Sequence, residues 1–182
     1  MKKLLLMLLS AGMSFAQLQG IVDTHTHGDP DSAARSIDVL QLARIAKAAG
    51  MRAIVLKNHY APTVQAAYLV SEIVPGIQIF GAIALDRAVG GVNPEAVRQA
   101  AAFKGKKLRV VWMPTFDSEN DVTFSKQNRT FVSIQHDGKL LPETVEVLKI
   151  IARDNIVLAT GHLERNVKHS NIFRPAKHQM FE

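Results

Sequence analysis

The chain of 182 residues lacks cysteine, lacks a long hydrophobic run and lacks a basic stripe with interleaved aromatic residues. Without cysteine no disulfide can stabilise the fold, so a packed core or a metal must do so. The N-terminal apolar run, residues 4–9, is far shorter than the about 20 residues that span a bilayer as a helix, so we expect no stable membrane anchor. The missing basic stripe argues against nucleic acid as a partner.

The residues that are present are typical of a globular domain, with 47% hydrophobic residues, 21% charged residues and a modest net charge of +6. Residues 1–16 have the pattern of a secretory signal peptide, because Lys2 and Lys3 precede the apolar run and small residues stand at 14 and 16. We therefore expect this segment to be removed and the protein to be secreted or periplasmic. An ordinary apolar N-terminal helix is the alternative.

Short apolar runs alternate with amphipathic segments between residues 21 and 160. The pattern predicts strands at 21–27, 52–57, 77–85, 108–113 and 156–160, and helices at 36–49, 63–74, 93–104 and 142–153. Ser36 is the expected N-cap of the first helix and Asn93 that of the third. In the long connection 114–141, the turn signal His136-Asp137-Gly138 predicts a small hairpin. Strands and helices in this order predict right-handed βαβ units and a parallel sheet.

The fold class that follows is α/β, a partial (β/α)8 TIM-like barrel in a domain of residues 17–163. A complete barrel takes about 250 residues, so we expect about three strand–helix units at the C-terminal end to be missing. An open five-stranded sheet fits the pattern equally well. Residues 164–182 have no clear period and are interpreted as an irregular tail. A barrel that does not close exposes strand edges, so we expect poor solubility or self-association.

The strongest chemical signal is the first strand, with the sequence Asp23-Thr24-His25-Thr26-His27. Alternate residues of a strand point to one face, so Asp23, His25 and His27 lie together. Two imidazoles about 7 Å apart along a strand can converge on one cation, and this strand end is where parallel α/β folds place their sites. We predict that His25 and His27 bind a metal ion, with Asp23 as an orienting carboxylate. Two chance histidines on a half-exposed strand are the alternative.

Lys57 and His59 share a face at the end of the second strand and are the candidate catalytic residues. A lysine that points into a barrel mouth beside a cation has a depressed pKa. Such an amine can bind an anionic substrate, act as a base or become a carbamylated ligand. A lysine that reaches to solvent and a histidine that caps a loop are the alternatives.

His162 follows Gly161 at the end of the fifth strand and is predicted as a third metal ligand. Three protein ligands with an open position are the catalytic pattern for zinc. An ordinary loop histidine is the alternative. Four carboxylates also follow strand ends, but their spacing selects none of them as acid, base or ligand: Asp29, Asp31, Asp86 and Asp117.

Together these motifs resemble the amidohydrolase superfamily of metal-dependent hydrolases. The motif Asp23-x-His25-x-His27 carries the resemblance, while Leu56-Lys57-Asn58-His59 and Thr160-Gly161-His162-Leu163 point to an uncharacterised amidohydrolase-related branch. The resemblance covers about residues 19–163. It implies a (β/α)8 barrel and one or two divalent cations, with zinc as the expected metal. It also implies hydrolysis of an amide, ester or related bond in a small molecule, with His25, His27 and His162 as ligands.

The chain departs from the superfamily in two respects. The family usually takes a further histidine from the sixth strand and an aspartate from the eighth, and this chain ends before both, as a C-terminally truncated member would. A carbamylated lysine usually comes from the fourth strand, whereas Lys57 lies on the second. We therefore expect this chain to bind metal yet hydrolyse poorly by itself. A metal-dependent phosphoesterase or nuclease, which also opens with His-x-His, and an inactive metal-binding remnant are the alternatives.

Overall fold

A computed structural model describes residues 18–164 of the protein. The expected signal peptide at 1–16 and all but the first residue of the tail 164–182 lie outside the described residues. None of the helices within 18–164 has the length and apolar character needed to cross a membrane.

The described residues form a parallel sheet with helices along the chain between its strands. The strands are β1 (Val22–Thr26), β2 (Ala53–Leu56), β3 (Gln78–Ala84), β4 (Leu108–Trp112), β5 (Gln135–His136), β6 (Lys139–Leu140) and β7 (Val157–Ala159). Five of them pair in the order β1-β2-β3-β4-β7, all parallel, and the sheet curls into a half-barrel. The predicted α/β partial barrel is therefore confirmed. The short antiparallel pair β5–β6 is the predicted hairpin at His136-Asp137-Gly138.

The helices are α1 (Val39–Ala48), α2 (Val64–Ile73), α3 (Pro94–Ala102), α4 (Glu119–Phe124) and α5 (Pro142–Arg153). The predicted cap of α3 is confirmed, since the Asn93 side chain accepts hydrogen bonds from the next turn at Glu95 N (3.0 Å) and Ala96 N (3.2 Å). The predicted Ser36 cap of α1 is wrong. Asp38 caps that helix by accepting from Gln41 N at 2.7 Å, so α1 begins later than the apolar pattern suggested.

Helix α4 was not predicted and lies inside the connection 114–141. It is only six residues long, and Ser118 caps it by accepting from Asp121 N at 3.1 Å. A single short turn carries too little hydrophobic periodicity to be recognised from sequence. Its position matters because it lies beside the end of β7, where Asn120 donates to the His162 carbonyl at 3.1 Å.

The two faces of the sheet bury different side chains. The outer face packs large aliphatic residues such as Ile54, Ile79 and Val111 against the helices, and all three are fully buried. The inner face carries smaller residues, with Val55, Ala82 and Val110 forming its buried centre. Because strand residues alternate between faces, this inner row continues past the strand ends into Lys57 and Asp86. The small inner side chains leave room there for polar groups.

Gly161 occupies the tightest turn beside the candidate site, directly after β7. Its φ is +58°, and a Cβ atom on it would stand 2.3 Å from the Met113 carbonyl oxygen and 2.4 Å from that of Pro114. The next residue is held there as well, since His162 N donates to the Pro114 carbonyl at 3.1 Å. Only glycine allows this close approach between the ends of β4 and β7.

We expect Gly161→Ala to lower the free energy of unfolding by about 3 kcal/mol, because strain in the left-handed region adds to a backbone clash. Gly138→Ala is the matched control, since Gly138 has a φ of +72° and nothing within 4 Å of an added Cβ. The control should cost only about 1 kcal/mol. Urea denaturation measures both, and equal losses would show that the β4–β7 junction tolerates a side chain.

Candidate active site

The candidate active site lies at the C-terminal ends of the parallel strands, on the inner side of the half-barrel. β1 supplies His25, and the residue directly after β1 is His27. The residues after β2 supply Lys57 and His59, and the loops after β3 and β4 supply Asp86 and Thr115. Parallel strands end at one edge of a sheet, which is why residues so distant in sequence meet. Lys57, His59, Asp86 and Thr115 are all buried.

His25 and His27 face each other, as the strand alternation predicted. Their Nε2 atoms are 3.1 Å apart, and their ring centroids are 5.0 Å apart with the planes tilted by 55°. Desolvation lowers the pKa of both imidazoles, that of His27 to about 4, with the Lys57 charge contributing to both shifts. Both rings are therefore neutral near pH 7, and each carries a lone pair that a metal can use.

The geometry of this pair fits two ligands of one small cation. Zinc–nitrogen bonds of 2.0–2.1 Å at a tetrahedral angle place two ligand nitrogens about 3.3 Å apart, close to the separation of 3.1 Å found here. The His27 Nδ1 atom is buried without a hydrogen-bond partner in the described part of the chain. Asp23, expected to orient an imidazole, instead accepts from the backbone N–H of His25 at 3.0 Å.

His162 follows β7, and its charge is among the causes that lower the pKa of His25. Its Nδ1 is 3.2 Å from Asp121 Oδ1, and its ring meets the edge of Phe116 at a centroid distance of 5.7 Å. Within residues 18–164 no group of three or more histidine, cysteine, aspartate or glutamate side chains is close enough to hold one ion. The assignment of His162 as a third ligand stays a prediction.

His59 belongs to a buried hydrogen-bonded chain. Its Nδ1 is 2.7 Å from Thr115 Oγ1, and Thr115 in turn donates its hydroxyl proton to Asp86. Burial, with the charge of Lys57 second in importance, lowers the pKa of His59 to about 3. The ring is thus neutral and held from one side, which suits a group that accepts or relays a proton.

Lys57 is only 3% exposed and has no carboxylate within salt-bridge distance among the described residues. Its Nζ lies 3.4 Å from both ring nitrogens of His59 and 4.7 Å from the centre of the Trp112 ring. Burial lowers the pKa of the amine to about 8, although the more distant charge of Asp86 opposes the shift. Lysines with such a pKa exchange protons near neutral pH.

Two aromatic rings flank these polar groups. Trp112, at the end of β4, lies 4.5 Å from the His25 ring between centroids. Phe116 stacks on His59 at 3.9 Å with an interplanar angle of 19°. Phe116 also lines a groove of about 610 Å³, together with Tyr60 and Arg87. Phe116 connects the groove to His59, and the groove has room for a small molecule.

Sequence spacing did not select Asp86 among the four carboxylates after strands, and burial alone does not either, since the side chains of Asp31 and Asp117 are buried as well. The hydrogen bonds of Asp86 to Thr115 distinguish it. Asp86 is 0% exposed, whereas Asp31 pairs with Arg35 and Asp117 with Arg129. Asp29 accepts from Val39 through its backbone carbonyl at 2.9 Å. A signal was present in the strand parity, because Asp86 shares the inner face with Ala82 and Ala84. Trp112 and Thr115 lie in the segment Val111-Trp112-Met113-Pro114-Thr115, which also resembles the amidohydrolase-related branch, and Trp112 shares the inner face with Val110.

We expect Lys57→Met to stabilise the protein below pH 8, because the wild type must bury a charged amine there. The pKa of Lys57 is about 8 in the folded protein and 10.5, its ordinary value, in the unfolded chain. Wild-type stability therefore rises relative to the variant as pH increases between these values. The advantage of the variant should shrink by on the order of 3 kcal/mol over that range. Chemical denaturation at several pH values measures it. Lys149→Met, at an exposed site on α5, is the control, and parallel curves for both variants would contradict the expectation.

Comparison with known proteins shows a family but no activity. No curated protein and no solved structure matches the chain. A family match covers residues 20–179 and so includes every residue of the site described above. Because this match spans most of the chain, the protein belongs to the Family of unknown function (DUF6282).

Proposed function

We propose that the protein is a metal-dependent hydrolase of the amidohydrolase type, which acts on an amide, ester or related bond of a small molecule. The observation that carries this proposal is the pair of neutral imidazoles at the end of β1, whose Nε2 atoms are 3.1 Å apart at the C-terminal edge of the sheet. His25 and His27 would hold a divalent cation, and their nitrogen donors suit zinc. His162 remains the candidate third ligand from the chain.

A divalent cation, when bound, supplies Lewis acidity that lowers the pKa of water towards 7 and polarises the scissile group. The protein's own residues would manage protons and water around it. Lys57, with a pKa of about 8, can exist in either protonation state near neutral pH and can donate to a leaving group or to a developing negative charge. His59, neutral and fixed by Thr115, offers a second proton-accepting nitrogen beside it.

The groove next to Phe116 would receive the substrate. Phe116 and Tyr60 present partly exposed aromatic faces, each about 40% accessible, and Arg87 adds an exposed guanidinium. An arrangement of apolar surface with a few polar groups is typical of small-molecule sites. Trp112 would shield the basic cluster from bulk water on the opposite side, next to His25.

The double variant His25→Ala/His27→Ala should lose zinc, because it removes both nitrogen donors. We expect wild-type protein, purified with added zinc and dialysed, to retain the metal in elemental analysis and the double variant to retain at least tenfold less. His136→Ala is the matched control, since the His136 side chain is 82% exposed on the β5–β6 hairpin. Equal zinc content in wild type and double variant would remove the metal site from the proposal.

Hydrolysis should be slow, zinc-dependent and directed at carbonyl compounds. We expect the zinc-loaded protein to cleave at least one member of a panel of aryl amides and aryl esters above the blank, and the double variant to show no such cleavage. The panel includes an aryl phosphodiester. Cleavage of that compound alone would assign the site to phosphoester chemistry instead. Zinc binding without any cleavage would mark an inactive metal-binding protein and would also overturn the hydrolase proposal.

A further inference from the structure

Three buried polar side chains from three different segments meet within the site. Asp86 follows β3 and is 0% exposed, Thr115 follows β4 and is 0% exposed, and His59 follows β2 and is 5% exposed. A buried polar group is costly unless its hydrogen-bonding capacity is used, so the direction of each hydrogen bond here is constrained.

Asp86 acts as the acceptor for three donors. Its Oδ1 accepts from the backbone N–H groups of Thr115 at 2.7 Å and Asp117 at 3.2 Å, and its Oδ2 accepts from the Thr115 hydroxyl. Backbone N–H groups can only donate, and an ionised carboxylate can only accept. The single hydroxyl proton of Thr115 is therefore directed at Asp86.

With its proton committed, Thr115 Oγ1 can only accept from His59 Nδ1, at 2.7 Å. A neutral imidazole carries one N–H, so placing it on Nδ1 leaves Nε2 with a free lone pair. We propose that Asp86 and Thr115 are positioning residues that hold neutral His59 in the Nδ1–H tautomer and so keep its Nε2 an acceptor.

The consequence reaches Lys57. The Lys57 Nζ atom is 3.4 Å from both ring nitrogens of His59, but only Nε2 has a lone pair to receive a hydrogen bond from the ammonium group. The donors then run in one direction, from Lys57 to His59, from His59 to Thr115 and from Thr115 to Asp86. The inference deepens the proposed function. The catalytic meaning of this Lys57 orientation rests on the proposed function, whereas the tautomer of His59 does not.

The hydrogen bonds of this chain could also run in the opposite direction. If Asp86 were protonated on Oδ2, it could donate to Thr115, which would donate to His59 Nδ1 and leave the proton on Nε2. Burial raises the pKa of Asp86, but two backbone N–H groups directed at Oδ1 oppose that arrangement, because hydrogen bonds to the charged form favour it. The two polarities give different tautomers of one ring, so a spectrum distinguishes them.

The test is a long-range ¹H–¹⁵N correlation spectrum of the ¹⁵N-labelled full chain at pH 7.5 with a chelator, with the His59 signals assigned by their loss in His59→Gln. We expect a pyrrole-type Nδ1 and a pyridine-type Nε2. A wild-type spectrum with the proton on Nε2 overturns the proposal without any variant. Zinc binding is measured separately. Failure of the hydrogen-bonded chain Lys57–His59–Thr115–Asp86 and failure of the proposed function are therefore distinguishable.

Thr115→Val removes the hydroxyl at nearly constant shape, and we expect the preference for the Nδ1–H tautomer to fall at least tenfold. Thr115→Ser should restore it, because the serine hydroxyl can make both hydrogen bonds. Thr144→Val is the matched control. Thr144 is equally buried at 0%, and it donates to the Ile134 carbonyl at 2.9 Å rather than to a residue of the chain from Lys57 to Asp86. An unchanged His59 spectrum in Thr115→Val, or an equal change in Thr144→Val, would contradict the assignment.

Discussion

The buried carboxylate of Asp86 is the contact on which the candidate site depends. It ties the loop after β3 to the loop after β4 by accepting from two backbone N–H groups and one hydroxyl. The backbone N–H of Asp117 donates to Asp86, and the Asp117 carboxylate in turn accepts from Arg87 N at 2.8 Å. The two loops are thus joined in both directions. Without this junction, Thr115 and the His59 ring would lose a hydrogen bond that orients them, and the groove beside Phe116 would lose one wall.

Burial also sets the chemistry of the basic side chains. The pKa values of His27, Lys57 and His59 are all lowered, and in each case desolvation is the largest cause. Mutual repulsion among the basic groups adds to the shift, so each positive charge would be costly for its neighbours. Lys57, with a pKa of about 8, is mostly charged near neutral pH, whereas the imidazoles hold lone pairs rather than charges. Such a set of neutral nitrogens suits a cation or a proton that arrives with a substrate.

The outer face of the curved sheet carries most of the core packing, and the inner face carries the polar groups of the candidate site. Large aliphatic residues on its outer face pack against the helices and form the two larger parts of the core. Small residues such as Ala82 on the inner face keep space beneath the strand ends, where Lys57 and Trp112 lie. A large inner side chain at these positions would occupy the space of the amine. The inner face is therefore less tightly filled by large side chains near the strand ends, where parallel β/α folds commonly place their functional sites.

Periodicity along the chain was sufficient to predict the five parallel strands, the four long helices and the facing pair His25 and His27. These features depend on local alternation and on capping by residues such as Asn93, which neighbouring residues in the sequence specify. The start of α1, the short helix α4 and the choice of Asp86 among four carboxylates required the tertiary structure. Burial and hydrogen-bond direction depend on which strand ends meet, and contacts such as that between His59 and Thr115, 56 residues apart, leave no periodic trace.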